Sequence, residues 1–230
     1  MPVILEVIAC SLDDAVAAED GGASRLELVS ALPRGGLTPS LAVLDAVLQR
    51  VSLPVRVMVR ETIGHVVDGE AQRQTLLAAA RALAGRPIEG IVFGALDRGV
   101  VDEPLLAAVA TAAGCPVTFH RAFESVADSG AAIGTLKRHP QVDRILYNGG
   151  DGSWEQRAAR IAALAAVARP SLRFIIGGGV TEHAIAALAN VPDVFDIHVG
   201  RLAREPATDL GRVTVRRVAT LVELLREAFG

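Results

Sequence analysis

The sequence predicts an α/β fold: a single-domain (β/α)8 barrel over residues 1–230, with a C-terminal helix. Three observations predict it. Short β-rich runs alternate with Ala/Leu-rich stretches along all 230 residues. Eight such pairs fit the length, leaving roughly 29 residues per unit, about what one βα repeat occupies. The β-rich runs are apolar at nearly every position, as parallel strands covered on both faces are. A doubly wound open sheet usually carries a glycine-rich dinucleotide loop after its first strand. Here Ala9-Cys10-Ser11 stands in that place.

The elements follow in order. The first strand covers 3–9. Its helix, 12–20, begins after Ser11 with Asp13 and Asp14 in the first turn, a helix-start signal. The second strand, 25–29, leads to a helix over 41–50 that Ser40 opens. The third, 55–60, precedes a helix over 70–84 behind Asp68. Strands over 90–94, 117–120 and 144–147 pair with helices over 104–113, 127–138 and 155–168. The seventh strand, 173–176, feeds a helix over 182–189 opened by Thr181-Glu182. The eighth, 194–199, precedes the final helix over 212–228.

Composition removes several function classes. With 51% hydrophobic and 21% charged residues, the chain is not disordered. A net charge of −3 and 3% aromatics argue against a nucleic-acid partner. The longest apolar runs, such as 161–168, are about eight residues, against roughly 20 for a membrane span. No membrane partner is expected. The N-terminus reads as a strand rather than a signal peptide, and two cysteines imply a reducing compartment. The expected location is the cytoplasm.

In this barrel the working face is the C-terminal end of the strands. Polar residues gather there: Arg60-Glu61, His120-Arg121, Tyr147-Asn148-Gly149-Gly150, His198 and Gly200-Arg201. Charges also interrupt apolar strands. Glu6 breaks the first, and Arg25 and Glu27 share one face of the second because strand side chains alternate. An unpaired buried charge is costly. Glu6, Arg25, Glu27 and Arg60 are therefore expected to form one ion-pair network. It is either a plug that fixes strand register or the floor of a ligand pocket. Gly177-Gly178-Gly179, with Gly200-Arg201, lies where barrels of this kind bind phosphate.

Glu27 and His120 are the candidate proton carriers. Glu6, Arg25, Arg60, Arg121, Asn148, Gly177, Gly178, Gly179, His198, Gly200 and Arg201 are the candidate ligand-binding residues. Asp196 shares the face of His198 and is expected to orient its ring. His65, His139 and His183 are expected at the surface. Lys137, the only lysine, falls in the helix after the fifth strand, so a Schiff-base mechanism is excluded. Cys10 and Cys115 fall at opposite ends of opposite strands, so they cannot share a metal ion within one chain. The metal-ligating residues stay unassigned.

Several stretches resemble the CutC family, the proteins named for copper homeostasis. They include Leu5-Glu6-Val7, residues 21–28, Gly35-Gly36-Leu37-Thr38-Pro39-Ser40 and Pro116-Val117-Thr118-Phe119-His120-Arg121-Ala122-Phe123. Gly177-Gly178-Gly179-Val180 and His198 extend the match. The resemblance implies a TIM barrel, a cytoplasmic homodimer and a link to copper. The chain departs from the family at Ile8 and Val29, where relatives often carry cysteines, which weakens thiolate copper binding. It also departs in the 60–66 loop, at Glu124 and at Tyr147-Asn148-Gly149. Three functions stay open: a copper-handling protein that acts by binding, a phosphate-barrel lyase or isomerase acting on a small anionic metabolite, and an interaction scaffold with a relict pocket.

Overall fold

A computed structural model describes residues 3–189, 191–192 and 196–230. Eight parallel strands close into a barrel: β1 (Ile4–Ala9), β2 (Arg25–Leu28), β3 (Val55–Met58), β4 (Gly90–Phe93), β5 (Val117–Phe119), β6 (Val142–Tyr147), β7 (Arg173–Ile176) and β8 (Asp196–Val199). Each pairs with its neighbours in sequence, and β1 closes the ring on β8. The expected start of the eighth strand, residues 194–195, lies outside the described residues.

The helices are α1 (Leu12–Asp20), α2 (Leu41–Arg50), α3 (Gly69–Leu83), α4 (Glu103–Ala113), α5 (Ser129–Leu136), α6 (Trp154–Ala168), α7 (Glu182–Leu188) and α8 (Val215–Phe229). Side-chain oxygens of Ser11, Ser40, Asp102, Asp128, Ser153, Thr181 and Thr214 cap seven of them, each satisfying an orphan N–H of the first turn. Each helix buries one stripe. In α8 that stripe is Val218, Leu221 and Leu225, packed beside α1. Gly21 makes this approach possible, since a Cβ there would stand 2.5 Å from Val218 Cβ.

The final helix starts at Val215, not at 212 as the sequence predicts. Arg212–Val213 instead pairs antiparallel with Arg204–Glu205. Buried Asp14 pins this ribbon to α1. Its carboxylate accepts the Val213 and Cys10 N–H groups and the Arg204 guanidinium, each at 3.0 Å. A second ribbon, Leu96–Asp97 with Val100–Val101, follows β4. Two-residue ribbons have no periodicity for a sequence to display.

The barrel lumen is polar where aliphatic layers usually fill it. Register sets Glu6 of β1 level with Arg25 of β2 and His198 of β8. The Arg25 Nε donates to Glu6, and its Nη2 donates to Asp196 Oδ2 at 3.0 Å. Arg144 Nε donates to the same oxygen at 2.9 Å. Nearer the N-terminal end of the strands, Arg56 is 1% exposed and donates to Thr118, Asp143 and Glu89 at 2.6–2.9 Å. Beside it, Gly90 admits the close approach of the next strand's lead-in, since a Cβ there would stand 2.5 Å from the Pro116 carbonyl oxygen.

Candidate functional site

Above this ladder the C-terminal ends of the strands open into a cavity of about 480 Å³. Of the residues singled out in the sequence, Glu27, Arg60, His120, Arg121, Gly178, Gly179, His198, Gly200 and Arg201 line it. Glu6 and Arg25 lie in the lumen rather than among the lining residues. Asn148 and Gly177 are also outside the lining. Asn148 instead ties its own turn, its Oδ1 accepting the Gly150 N–H at 2.6 Å. Gly177 serves packing, because a Cβ there would lie 2.7 Å from His198 Cδ2 and 2.8 Å from Leu146 Cδ1. Gly177→Ala is expected to cost about 1–3 kcal/mol of stability, measured by urea unfolding. A neutral result would show that His198 and Leu146 are free to move aside.

Two expectations about the ion pairs are corrected. Arg60 is not part of the Glu6–Arg25 network. It follows the end of β3, and its guanidinium donates to the carbonyls of Gly35, Thr62 and Gly64 at 3.0–3.3 Å. It thereby holds two loops at the cavity wall. Asp196 makes no hydrogen bond to His198 among the described residues: its Oδ2 accepts from both Arg25 and Arg144, and its Oδ1 has no hydrogen-bond partner. Glu6 orients the ring instead: His198 Nδ1–H donates to Glu6 Oε1 at 2.7 Å.

The opposite ring nitrogen, His198 Nε2, stands 3.6 Å from Glu27 Oε2. Burial raises the Glu27 carboxyl to about 7, against the opposing pull of His198; Glu6 adds to the rise, while Arg60 opposes it. Burial acts to lower the His198 pKa, but the Glu27 and Glu6 carboxylates outweigh it and hold the value above its ordinary one. Burial likewise acts to raise Glu6, but His198 and Arg25 hold it well below the usual carboxylate range. The result is an ionised Glu6, a histidine fixed by it, and a carboxyl facing the cavity that changes charge near neutrality.

Across the cavity, His120 is 3% exposed. Its Nδ1 accepts the Ala122 N–H at 3.1 Å, so the ring proton of the neutral form sits on Nε2. That Nε2 has no hydrogen-bond partner. Burial, then the neighbouring His65 and Arg60, push its pKa well below 6.5.

The surface expectation for His65 is also corrected. Its ring lies 5.2 Å from that of His120, and it lines the cavity. The loop carrying it is held where the Leu96 N–H donates to the His65 carbonyl at 2.7 Å. Burial and the fields of Arg60 and Arg121 lower its pKa to about 4. His139 and His183 pair with Glu103 and Glu155, away from the cavity.

Charge around the cavity is not balanced. Arg121 is paired with Glu124 at 2.8 Å, and Arg201 approaches Asp209 at 3.6 Å. Arg60 and Arg34 also line the cavity, and among the described residues neither has a carboxylate partner within ion-pair distance. With Glu27 protonated, the cavity carries a cationic surplus. Sequence reasoning missed Arg34, which sits in a one-turn 3-10 helix that no pattern announces.

Comparison with known proteins gives a consistent family match. A family model described as the CutC family matches residues 3–202. A family protein CutC of Xanthomonas campestris pv. campestris is 35% identical, covering 97% of this chain and 99% of its own length. The copper homeostasis protein cutC homolog of Homo sapiens is 36% identical over 85% of this chain and 72% of that protein. The crystal structure of a putative copper homeostasis protein CutC from Streptococcus agalactiae superposes with a TM-score of 0.77 at 25% identity. It covers 86% of this chain and 98% of that one.

Proposed function

This chain belongs to the CutC family, and from that premise we propose that its barrel is an acid–base enzyme for a small anionic metabolite. One observation carries the reading. Glu27 presents a buried carboxyl to a cavity whose lining includes Arg60 and Arg34, two guanidiniums with no carboxylate partner among the described residues. A carboxyl near neutrality is matched to giving and taking protons at working pH. Arg60 and Arg34 supply the charge that selects an anion. Gly178 and Gly179, at φ +82° and +87°, expose backbone at the opposite wall.

Copper homeostasis is the printed role of relatives. For this chain it enters as a consequence of metabolism rather than as thiolate binding. Burial raises the thiols of both Cys10 and Cys115, and thiolates are the copper-binding form. Arg204 stands 3.6 Å from Cys10 Sγ, and Cys115 lies before β5 at the far end of the barrel. The family resemblance implies a cytoplasmic homodimer as the working form. Among the described residues no helix is long and apolar enough to cross a membrane.

The test is thermal unfolding of wild type and Arg60→Gln against inorganic phosphate, small phosphorylated metabolites, carboxylates and uncharged analogues. An anionic compound at about 100 times its Kd raises wild-type Tm by about 5–10 °C. Arg60→Gln loses most of that rise. Equal rises with uncharged analogues, or no rise with any anion, overturn the proposal. Tight Cu(I) binding against a competing chelator would favour the copper-handling reading instead.

A further inference from the structure

Resting on the anionic-metabolite reading, we infer that the chemistry is enolisation: Glu27 removes a proton beside a carbonyl whose oxygen His120 Nε2–H holds. The two groups line the same cavity. Both are nine-tenths or more buried; among the described residues His120 Nε2 has no hydrogen-bond partner, and Glu27 Oε2 stands 3.6 Å from His198 Nε2, beyond hydrogen-bond reach. A buried donor left unpaired costs free energy, and a ligand oxygen would remove that cost.

The charge state of His120 decides which oxygen fits. Its Nδ1 is committed as an acceptor to the Ala122 N–H, so the ring is neutral and donates through Nε2 alone. Guanidiniums already face the cavity for a permanent anion. An uncharged, desolvated donor instead suits an oxygen that is neutral when bound and gains charge during reaction. A carbonyl becoming an enolate is such an oxygen. A carboxylate base opposed to a neutral imidazole is a known arrangement for proton abstraction beside a carbonyl.

The ring is also fixed in place. Gly94 leaves the space that a Cβ would fill at 2.6 Å from His120 Nδ1, and His65 packs against the same ring at 5.2 Å. Behind Glu27, the Glu6–His198 pair holds the acceptor side.

The step balances without a further reactant. The ionised Glu27 carboxylate takes the proton from the carbon beside the carbonyl. The C–H electron pair becomes the new C=C bond, and the carbonyl π pair moves to oxygen. That oxygen accepts the His120 Nε2–H. In reverse, the Glu27 carboxyl returns the proton to carbon. The substrate class is a small hydroxycarbonyl or oxo compound that also carries a phosphate or carboxylate.

The test is proton NMR in D2O with dihydroxyacetone phosphate, pentulose and hexulose monophosphates, pyruvate and oxoglutarate, run beside the thermal-unfolding assay. Wild type is expected to wash deuterium into the carbon beside the carbonyl of at least one compound that raises its Tm. Glu27→Gln keeps the Tm rise but loses exchange by about 100-fold or more. His120→Gln loses exchange by about 100- to 1000-fold while remaining folded. No exchange in any of the carbonyl compounds that raise the wild-type Tm, or exchange at full rate in Glu27→Gln, overturns enolisation and leaves the anionic-metabolite reading standing. If no compound raises Tm, both readings fall. The phosphate and carboxylate arms separate the two sources of the anionic group.

Discussion

Arg25→Met lowers the unfolding free energy by about 3–5 kcal/mol. Arg25 is 1% exposed and bridges Glu6 and Asp196, which are 2% and 1% exposed. None of the three is screened by water. Methionine fills similar volume, so packing changes little and the loss is electrostatic. It takes from Glu6 its guanidinium and leaves His198 as the remaining partner, while Asp196 keeps Arg144 alone. Replacing a whole ion cluster by apolar residues is often neutral. Removing one member is not, because the others stay buried and charged. Urea unfolding at neutral pH reads the loss as a lower midpoint at unchanged slope. A loss under about 1 kcal/mol would show that water enters the lumen and compensates the carboxylates.

Glu27→Gln has the opposite effect on stability: it makes the protein more resistant to unfolding at alkaline pH. In the folded chain the Glu27 carboxyl is raised from 4.5 to about 7, chiefly by burial. Below pH 4.5 it is protonated in both folded and unfolded states, and its contribution is fully present. Between 4.5 and 7 the unfolded chain ionises while the folded one holds its proton, so stability falls as pH rises. Above 7 both are ionised, and the folded state carries the full burden of a buried charge. The shift corresponds to a difference on the order of 3 kcal/mol. The glutamine variant lacks this slope. It gains on wild type through that window and keeps the gain above it. Urea unfolding of both proteins at pH 5 and pH 8.5 measures the difference. Parallel pH dependence in the two proteins would mean that Glu27 titrates in its usual range.

These two results bear on different layers of the barrel, and the layers were not equally legible in the sequence. Glu6, Arg25 and Glu27 stand out because each interrupts an apolar run, and the strand period of two assigns Arg25 and Glu27 to one face. The same signal was available at Arg56 in Val55-Arg56-Val57-Met58, and at Asp143, Arg144 and Asp196, which complete the lumen cluster. Reading every charged strand residue by that rule would have found them. Arg60 falls outside the network because β3 ends at Met58, two residues short of its expected end, and the loop it supports is fixed by backbone carbonyls. His65 had no signal at all. Its position depends on a loop folding back onto Leu96, a contact between segments with no periodicity. The order of strands and helices was legible throughout, because buried parallel strands and capped helices both leave local marks.

The lumen cluster also sets when the chain can fold. Asp196 lies 171 residues after Arg25, and a single oxygen of its carboxylate serves both Arg25 and Arg144. A nascent chain holding only β1 to β7 has these two guanidiniums facing an open sheet with no Asp196 to meet them. The cation–anion match is completed only when β8 closes on β1. Long-range partners of this kind reward the chain late and carry the full loop-closure entropy first. Half-barrels of this sequence are therefore poor autonomous units. Folding is expected to be cooperative from end to end, because the cluster is complete only with the last strand in place.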